Sequence, residues 1–188
     1  MTNEELWQLF PIILSEYNPN WKTIYLEEEK ALIKALGKDI VRRINHIGST
    51  SVEGLMAKPT IDILLEVYPN NQEPFILNTL KSLGYITEGD ILKKPLNMMF
   101  MKGYTELGFE EKVYHLHLRE PGDYDELYFR DYLKEHPEVQ KAYVNLKKKL
   151  KTEYTHHRDN YTNGKTEFIK AYTKEARKKY NNRYKVEI

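Results

Sequence analysis

The chain contains no cysteine. That excludes a disulfide framework, a thiolate zinc site and a cysteine nucleophile, and it points to an intracellular, cytoplasmic protein. Long apolar runs are missing as well. No stretch approaches the roughly 18 residues of a membrane span, so no membrane partner is expected. The opening residues, MTNEELWQLFPIILSEY, lack the basic start and long apolar core of a secretory signal. Two common phosphate-loop patterns are also absent. Gly54 is followed by Leu55-Met56 where a P-loop needs Lys and Ser/Thr, and the G-x-G-x-x-G spacing of a dinucleotide fold does not occur.

The chain does have enough length for a core and an uneven distribution of charge. Its 188 residues fit one domain, which at that size buries roughly 70% of the surface its unfolded chain exposes. The formal net charge is +1, yet residues 141–188 hold 14 Lys/Arg against 5 Asp/Glu. Two readings of this basic end stand side by side. It lies near an anionic ligand or nucleic acid, or Lys147, Lys148, Lys149 and Lys151 form the solvated face of a surface helix.

The strongest signal is residues 44–67, INHIGSTSVEGLMAKPTIDILLEV. Two apolar runs flank a small-residue turn, Gly48-Ser49-Thr50-Ser51, and the second run carries one acid, Asp62. Glycine permits a close backbone approach, and the hydroxyls and free N–H groups of such a turn favour an anion. An acid inside a buried strand is costly unless it is paired or bound to a metal. Lys58 or a backbone donor is the ordinary partner for it. Downstream, KVYHLHLR (residues 112–119) alternates cleanly, placing Tyr114, Leu116 and Leu118 on one face and Val113, His115, His117 and Arg119 on the other. If that strand lies beside the one bearing Asp62, then Asp62, His115 and His117 converge as a metal site. The alternative is a pair of histidines hydrogen-bonded to their neighbours. His46 approaches the same turn as a weaker candidate.

The remaining pattern predicts helices over about 3–9, from Pro19 to Gly37, and over 73–83, 124–135, 138–155 and 165–180. Strands are predicted over 40–47, 60–67 and 112–119, with one or two more between 85 and 109. Strands and helices alternate early and helices cluster late. This reads as an α/β core over 1–120 with a helical C-terminal region over 121–188, within one domain.

A Gly-Ser turn followed some twelve residues later by Asp on a strand resembles the DNA polymerase beta-like nucleotidyltransferase superfamily. HIGSTSVEGLMAKPTIDI in particular is similar to the hallmark of its GrpB branch. EYNPNW, YHLHLREPG, FRDYLKEHPEVQKAYVNLKKKL and YTNGKTEFI resemble other segments of that family, so the likeness runs from about residue 16 to 176. The resemblance implies an α/β (α+β) fold with a nucleotidyltransferase-like mixed sheet flanked by helices. It also implies a site in which Gly48, Ser49 and Thr50 hold the phosphates of ATP or another nucleoside triphosphate. Lys58, Lys147 and Lys165 then add positive charge, and Asp62 with His115 or His117 holds Mg²⁺, Mn²⁺ or Zn²⁺.

Two departures from the superfamily pattern bear on this. Leu64 stands where a second acid belongs, and Glu66, next on that face, lies about 13 Å from Asp62 in an extended strand. Glu53 replaces the usual proline and would bring negative charge near a phosphate. The histidine pair is also similar to that of the HIT nucleotide hydrolases, but Arg119 stands where their nucleophilic histidine would be. The expected function is therefore nucleotidyl transfer to an unidentified acceptor. A nucleotide-binding protein that has lost catalysis, or a metal-dependent phosphohydrolase, are the alternatives.

Overall fold

The computed structural model describes residues 8–68, 70, 72–87 and 96–186; the predicted helix at 3–9 lies outside them, apart from its end. Helix α1 (Asn20–Leu36) begins where the Asn18 side chain accepts a hydrogen bond from the Asn20 N–H at 3.0 Å. It buries Trp21, Tyr25, Leu32 and Leu36, spaced to share one face. Strand β1 (Val41–Ile47) leads into a single helical turn, Ser49–Ser51, and β2 (Ile61–Val67) returns antiparallel to β1. Helix α2 (Glu73–Ser82) follows, then β3 (Asn97–Thr105) and β4 (Gly108–Arg119), which form a hairpin.

The sheet order is β1-β2-β4-β3, with β2 and β4 parallel at its centre. Both central strands are covered on two sides, which suits the near-continuous apolar run of β2, while β4 keeps its alternation. On one side Ile61, Ile63, Leu65, Phe100, Tyr114, Leu116 and Leu118 form the main core with α1 and α2. The other side carries Asp62, Leu64, Glu66, His115 and His117. It is roofed by α3 (Asp125–Glu135), α4 (Pro137–Tyr154), α5 (Arg158–Asn163) and α6 (Thr166–Tyr180). Val52 and Leu55, just past the turn, pack against Leu133, Val139 and Tyr143 of α3 and α4.

This is the mixed α/β architecture expected from the sequence, and the two faces of β4 divide as its alternation predicts. Helix α5 was not anticipated. Its six residues, RDNYTN, are too few and too poor in helix formers to show a period. Between Lys102 and Tyr104 the β3–β4 register breaks. Gly103 sits there at φ 87, with Val113 Cα 3.0 Å from where its β-carbon would be. The break has a consequence for the site. Lys102 points to Glu28 of α1, whereas Tyr104, two residues on, reaches His115 on the opposite face. Among the described residues no helix is long and apolar enough to cross a membrane.

Candidate active site

Asp62 is the second residue of β2, and the parallel register sets it beside His115. Its partner on β1 is Ile47, so Gly48 leaves the strand end directly over the carboxylate. Gly48 has φ 68 and ψ −175, a combination essentially restricted to glycine. A β-carbon there would collide with Asp62 Oδ2 and lie 2.9 Å from its Cγ. The other oxygen, Oδ1, is 3.3 Å from His115 Nδ1. His115 Nε2 is 2.6 Å from the Tyr104 hydroxyl, which accepts a hydrogen bond from Arg158 at 3.1 Å. Burial pushes the Asp62 pKa up. The hydrogen bond from His115, with the charge of Lys58 beyond it, outweighs this and holds the carboxyl below its ordinary value.

Asp62 keeps 28% of its side chain exposed, toward a cleft of about 920 Å³ between the sheet and the helical roof. Gly48, Ser49, His117, Tyr143 and Lys165 share that cleft with it, and Tyr124 and Phe129 add flat walls. The turn, the acid, one of the two imidazoles and one of the lysines thus line one cleft. Burial lowers the His117 pKa, against the pull of Asp62, so its ring is neutral near pH 7.

The cations of the cleft fall into two kinds. Arg119, Arg130 and Arg177 are matched by Glu126 at 2.7 Å, Asp131 at 2.9 Å and Asp123 at 2.7 Å. Lys165 has no carboxylate partner among the described residues, and its ammonium sits 4.5 Å from the centre of the Tyr161 ring. Burial lowers the pKa of Lys165, with Asp62 opposing. Lys58 is pushed down to about 7 by burial and then by Arg158, and Lys165 adds to the effect.

The other predicted residues take different places. Lys147 is 2% exposed and lies beneath the turn. Its ammonium donates to the Met56 carbonyl and, at 3.3 Å, to Ser49 Oγ. It therefore supports the turn from within, and burial brings its pKa to about 7. Thr50 does not line the cleft. Its hydroxyl donates to the Thr60 carbonyl at 2.9 Å and lies 3.0 Å from His46 Nε2. Thr50, His46 and Glu53 border a separate hollow behind the turn, so Glu53 does not bring its charge to the Asp62 cleft. His46 stacks on Tyr25 there, and burial takes its pKa down to about 4. Lys58 faces a neighbouring groove, over Phe109, and influences Asp62 through its charge.

A metal site does not fit the donors present. Among the described residues no group of three or more His, Asp or Glu side chains is arranged to hold an ion. The set of Asp62, His115 and His117 falls short because His115 has both ring nitrogens engaged, by Asp62 and Tyr104. Glu66 offers nothing further: it is buried, ion-paired with Arg43, and accepts the Gly122 N–H at 2.9 Å. Tyr104 and Arg158 escaped sequence reasoning because a register break and an unanticipated helix place them. Part of the basic C-terminal stretch is neutralised by its own surroundings: Lys149, Lys170, Lys178, Lys179 and Arg183 pair with Glu153, Glu167, Glu175, Glu135 and Asp131. Of the lysines that the solvated-face reading named, Lys148 and Lys149 are exposed, whereas Lys147 is buried.

Comparison with known proteins places these features in context. A family model described as GrpB protein matches residues 11–175. UPF0157 protein YqkA of Bacillus subtilis is 33% identical over 165 residues, which cover 86% of this chain and 46% of that protein. The chain therefore spans less than half the length of that relative. Glutamate-rich protein GrpB of Alkalihalophilus pseudofirmus is 36% identical over 164 residues, covering 84% of this chain and 91% of the other. The crystal structure of conserved protein GrpB from Enterococcus faecalis superposes with a TM-score of 0.77 at 32% identity. The superposition covers 89% of this chain and 99% of that one.

Proposed function

The chain belongs to the GrpB family, and from that premise we propose that it binds a nucleoside triphosphate in the Asp62 cleft and transfers its nucleotidyl group to an acceptor hydroxyl. The observation that carries this reading is the charge imbalance around Asp62. Asp62 shares the cleft with Lys165, which has no carboxylate partner among the described residues, and Lys58 acts on it by charge from the neighbouring groove; burial lowers the pKa of both lysines. Like charges held together out of water are unfavourable, and an anion that joins them relieves the cost. A polyphosphate is such an anion. The volume and the flat walls of Tyr124 and Phe129 suit the rest of a nucleotide.

In this scheme the triphosphate enters over Gly48, where no side chain blocks it, and Ser49 and Lys165 bind its oxygens. Asp62 accepts the hydrogen bond of the acceptor hydroxyl and takes its proton as the new bond to the α-phosphorus forms. The bond from that phosphorus to the bridging oxygen breaks, and pyrophosphate leaves with the electron pair against the charge of Lys165. A divalent ion arriving with the phosphates would meet a single carboxylate at the start of β2, since Leu64 stands where the superfamily pattern has its second acid.

The test is calorimetry with ATP, followed by incubation with labelled nucleotide and separation of products. Lys165→Met is expected to weaken binding about 10- to 100-fold, the loss of roughly 1.5–3 kcal/mol for a charged hydrogen bond. Asp62→Ala is expected to keep binding and lose transfer. No binding by the native chain, or equal binding by Lys165→Met, would sink the reading.

Affinity is also expected to depend on pH. Lys58 must be charged to attract the ligand, and its pKa lies at about 7. The attraction is therefore full below that value and fades as pH rises from 7 to 9, a range in which the phosphate itself no longer gains charge. Calorimetry at pH 8 in buffers of different ionisation enthalpy should show proton uptake on binding. A second reading, a binding protein without catalysis, is favoured by one feature: Leu64 is fully buried where the second acid would stand. Binding without any labelled product from a range of acceptors would select it.

A further inference from the structure

We infer that Tyr104 and Arg158 hold His115 as a neutral ring protonated on Nδ1, which makes it a positioning residue for Asp62 and takes it out of any metal set. This rests on the reading of Asp62 as the centre of the site. Four side chains, from three strands and α5, form one chain of donors and acceptors. A guanidinium only donates, so the Tyr104 oxygen accepts from Arg158 at 3.1 Å. Tyr104 has one hydroxyl hydrogen. The acceptor within reach is His115 Nε2, at 2.6 Å. A ring nitrogen that accepts carries no proton, so the proton of the neutral ring is on Nδ1, facing Asp62 Oδ1 at 3.3 Å.

The reverse wiring fails on the same count. With a proton on Nε2, the Tyr104 oxygen would face two donors, and its own hydrogen would have no acceptor among the described residues. In the neutral ring, the Nδ1 lone pair would also point at a carboxylate. The surroundings give the phenol little alternative. Phe10 and Phe109 pack against the Tyr104 ring with centroids at 5.1 and 5.4 Å, and the His115 ring lies nearly parallel to it at 12°. Burial raises the Tyr104 pKa, so the hydroxyl keeps its hydrogen although Arg158 pulls the other way.

Two consequences follow for the site. Asp62 is held at Oδ1 by His115, and Oδ2 fills the space that a β-carbon at Gly48 would need, so its orientation is set before a ligand arrives. Tyr104 also occupies the Nε2 lone pair, the position at which a metal-bound histidine would meet its ion while donating Nδ1–H to a carboxylate. An ion at that point would have to displace a hydrogen bond that Arg158 reinforces.

The experiment uses the full chain labelled with ¹⁵N-histidine and reads ring tautomers from long-range proton–nitrogen correlations. The native His115 is expected in the neutral Nδ1–H form. Tyr104→Phe keeps the ring and removes the hydroxyl, and it is expected to convert His115 to the Nε2–H form or to an averaged mixture. Arg158→Met is expected to move it part of the way and serves as the second variant if Tyr104→Phe does not fold. One equivalent of zinc is expected to leave the native His115 signals in place. A native ring protonated on Nε2, or on both nitrogens, overturns the inference. So do spectra unchanged by Tyr104→Phe, and so does stoichiometric zinc coordination by native His115. Failure of ATP to bind the native chain would defeat the nucleotide reading and leave these spectra unaffected, so the two outcomes are separable.

Discussion

Alanine at Gly48 is expected to abolish nucleotide binding and to destabilise the fold by about 2–5 kcal/mol, the sum of backbone strain and overpacking. Two separate penalties meet at this residue. The first is the backbone itself: φ 68 with ψ −175 is closed to side chains. The second is the Asp62 side chain, whose Cγ and Cβ lie 2.9 and 3.0 Å from the position of the new methyl group. Asp62 cannot swing aside freely, because Oδ1 is tied to His115. Urea unfolding of Gly48→Ala, Asp62→Ala and the double variant would separate the penalties. The contact with Asp62 is expected as a coupling between the two sites, and the backbone strain as the part that persists in the double variant. A stable Gly48→Ala protein that still binds ATP would show that the turn does not define the cleft.

The second large effect is expected at Glu66. Replacing it with alanine should destabilise the protein by about 3–5 kcal/mol, because it strands the charge of Arg43. Glu66 has no exposure at all. Arg43 donates to both of its oxygens, the Nη2 contact being 2.8 Å, and also donates to the Gly122 carbonyl at 2.7 Å. Glu66 in turn accepts the Gly122 N–H. This network anchors the segment that brings Pro121, Asp123 and Tyr124 to the cleft. Glu66→Gln keeps the shape, presents an amide to Arg43, and is expected to lose about 1–3 kcal/mol. Thermal and urea melts of both variants measure this. A loss below about 1 kcal/mol for Glu66→Ala would mean that Arg43, 26% exposed, escapes to water. The acid nearest to Asp62 along the same strand face is thus spent on holding a wall of the cleft.

How much of this was legible beforehand differs residue by residue. Asp62, the Gly48 turn and the His115/His117 face are local patterns. Two apolar runs around a small-residue turn specify adjacent antiparallel strands, and strict alternation specifies which side chains share a face. Those expectations hold. The roles of Thr50 and Lys147 were not legible, because neighbouring residues in a turn point in different directions. Thr50 turns toward His46 and Thr60 behind the site, while Lys147, 98 residues from Ser49 in the chain, is drawn under it by the packing of α4. The basic C-terminal count likewise said nothing about which lysines are neutralised by neighbours and which, like Lys165, are left facing the cleft.

The amino-acid sequence alone determined the family, the mixed α/β class, the strand pair around the turn and the acid at its centre, since these depend on residues near one another in the chain. The tertiary structure alone decided that the C-terminal helices roof the acid, that Lys165 stands there without a carboxylate, and that Tyr104 and Arg158 reach His115. These depend on strand register and helix packing across fifty or more residues, and on one break at Gly103 that moves a tyrosine to the other face of the sheet.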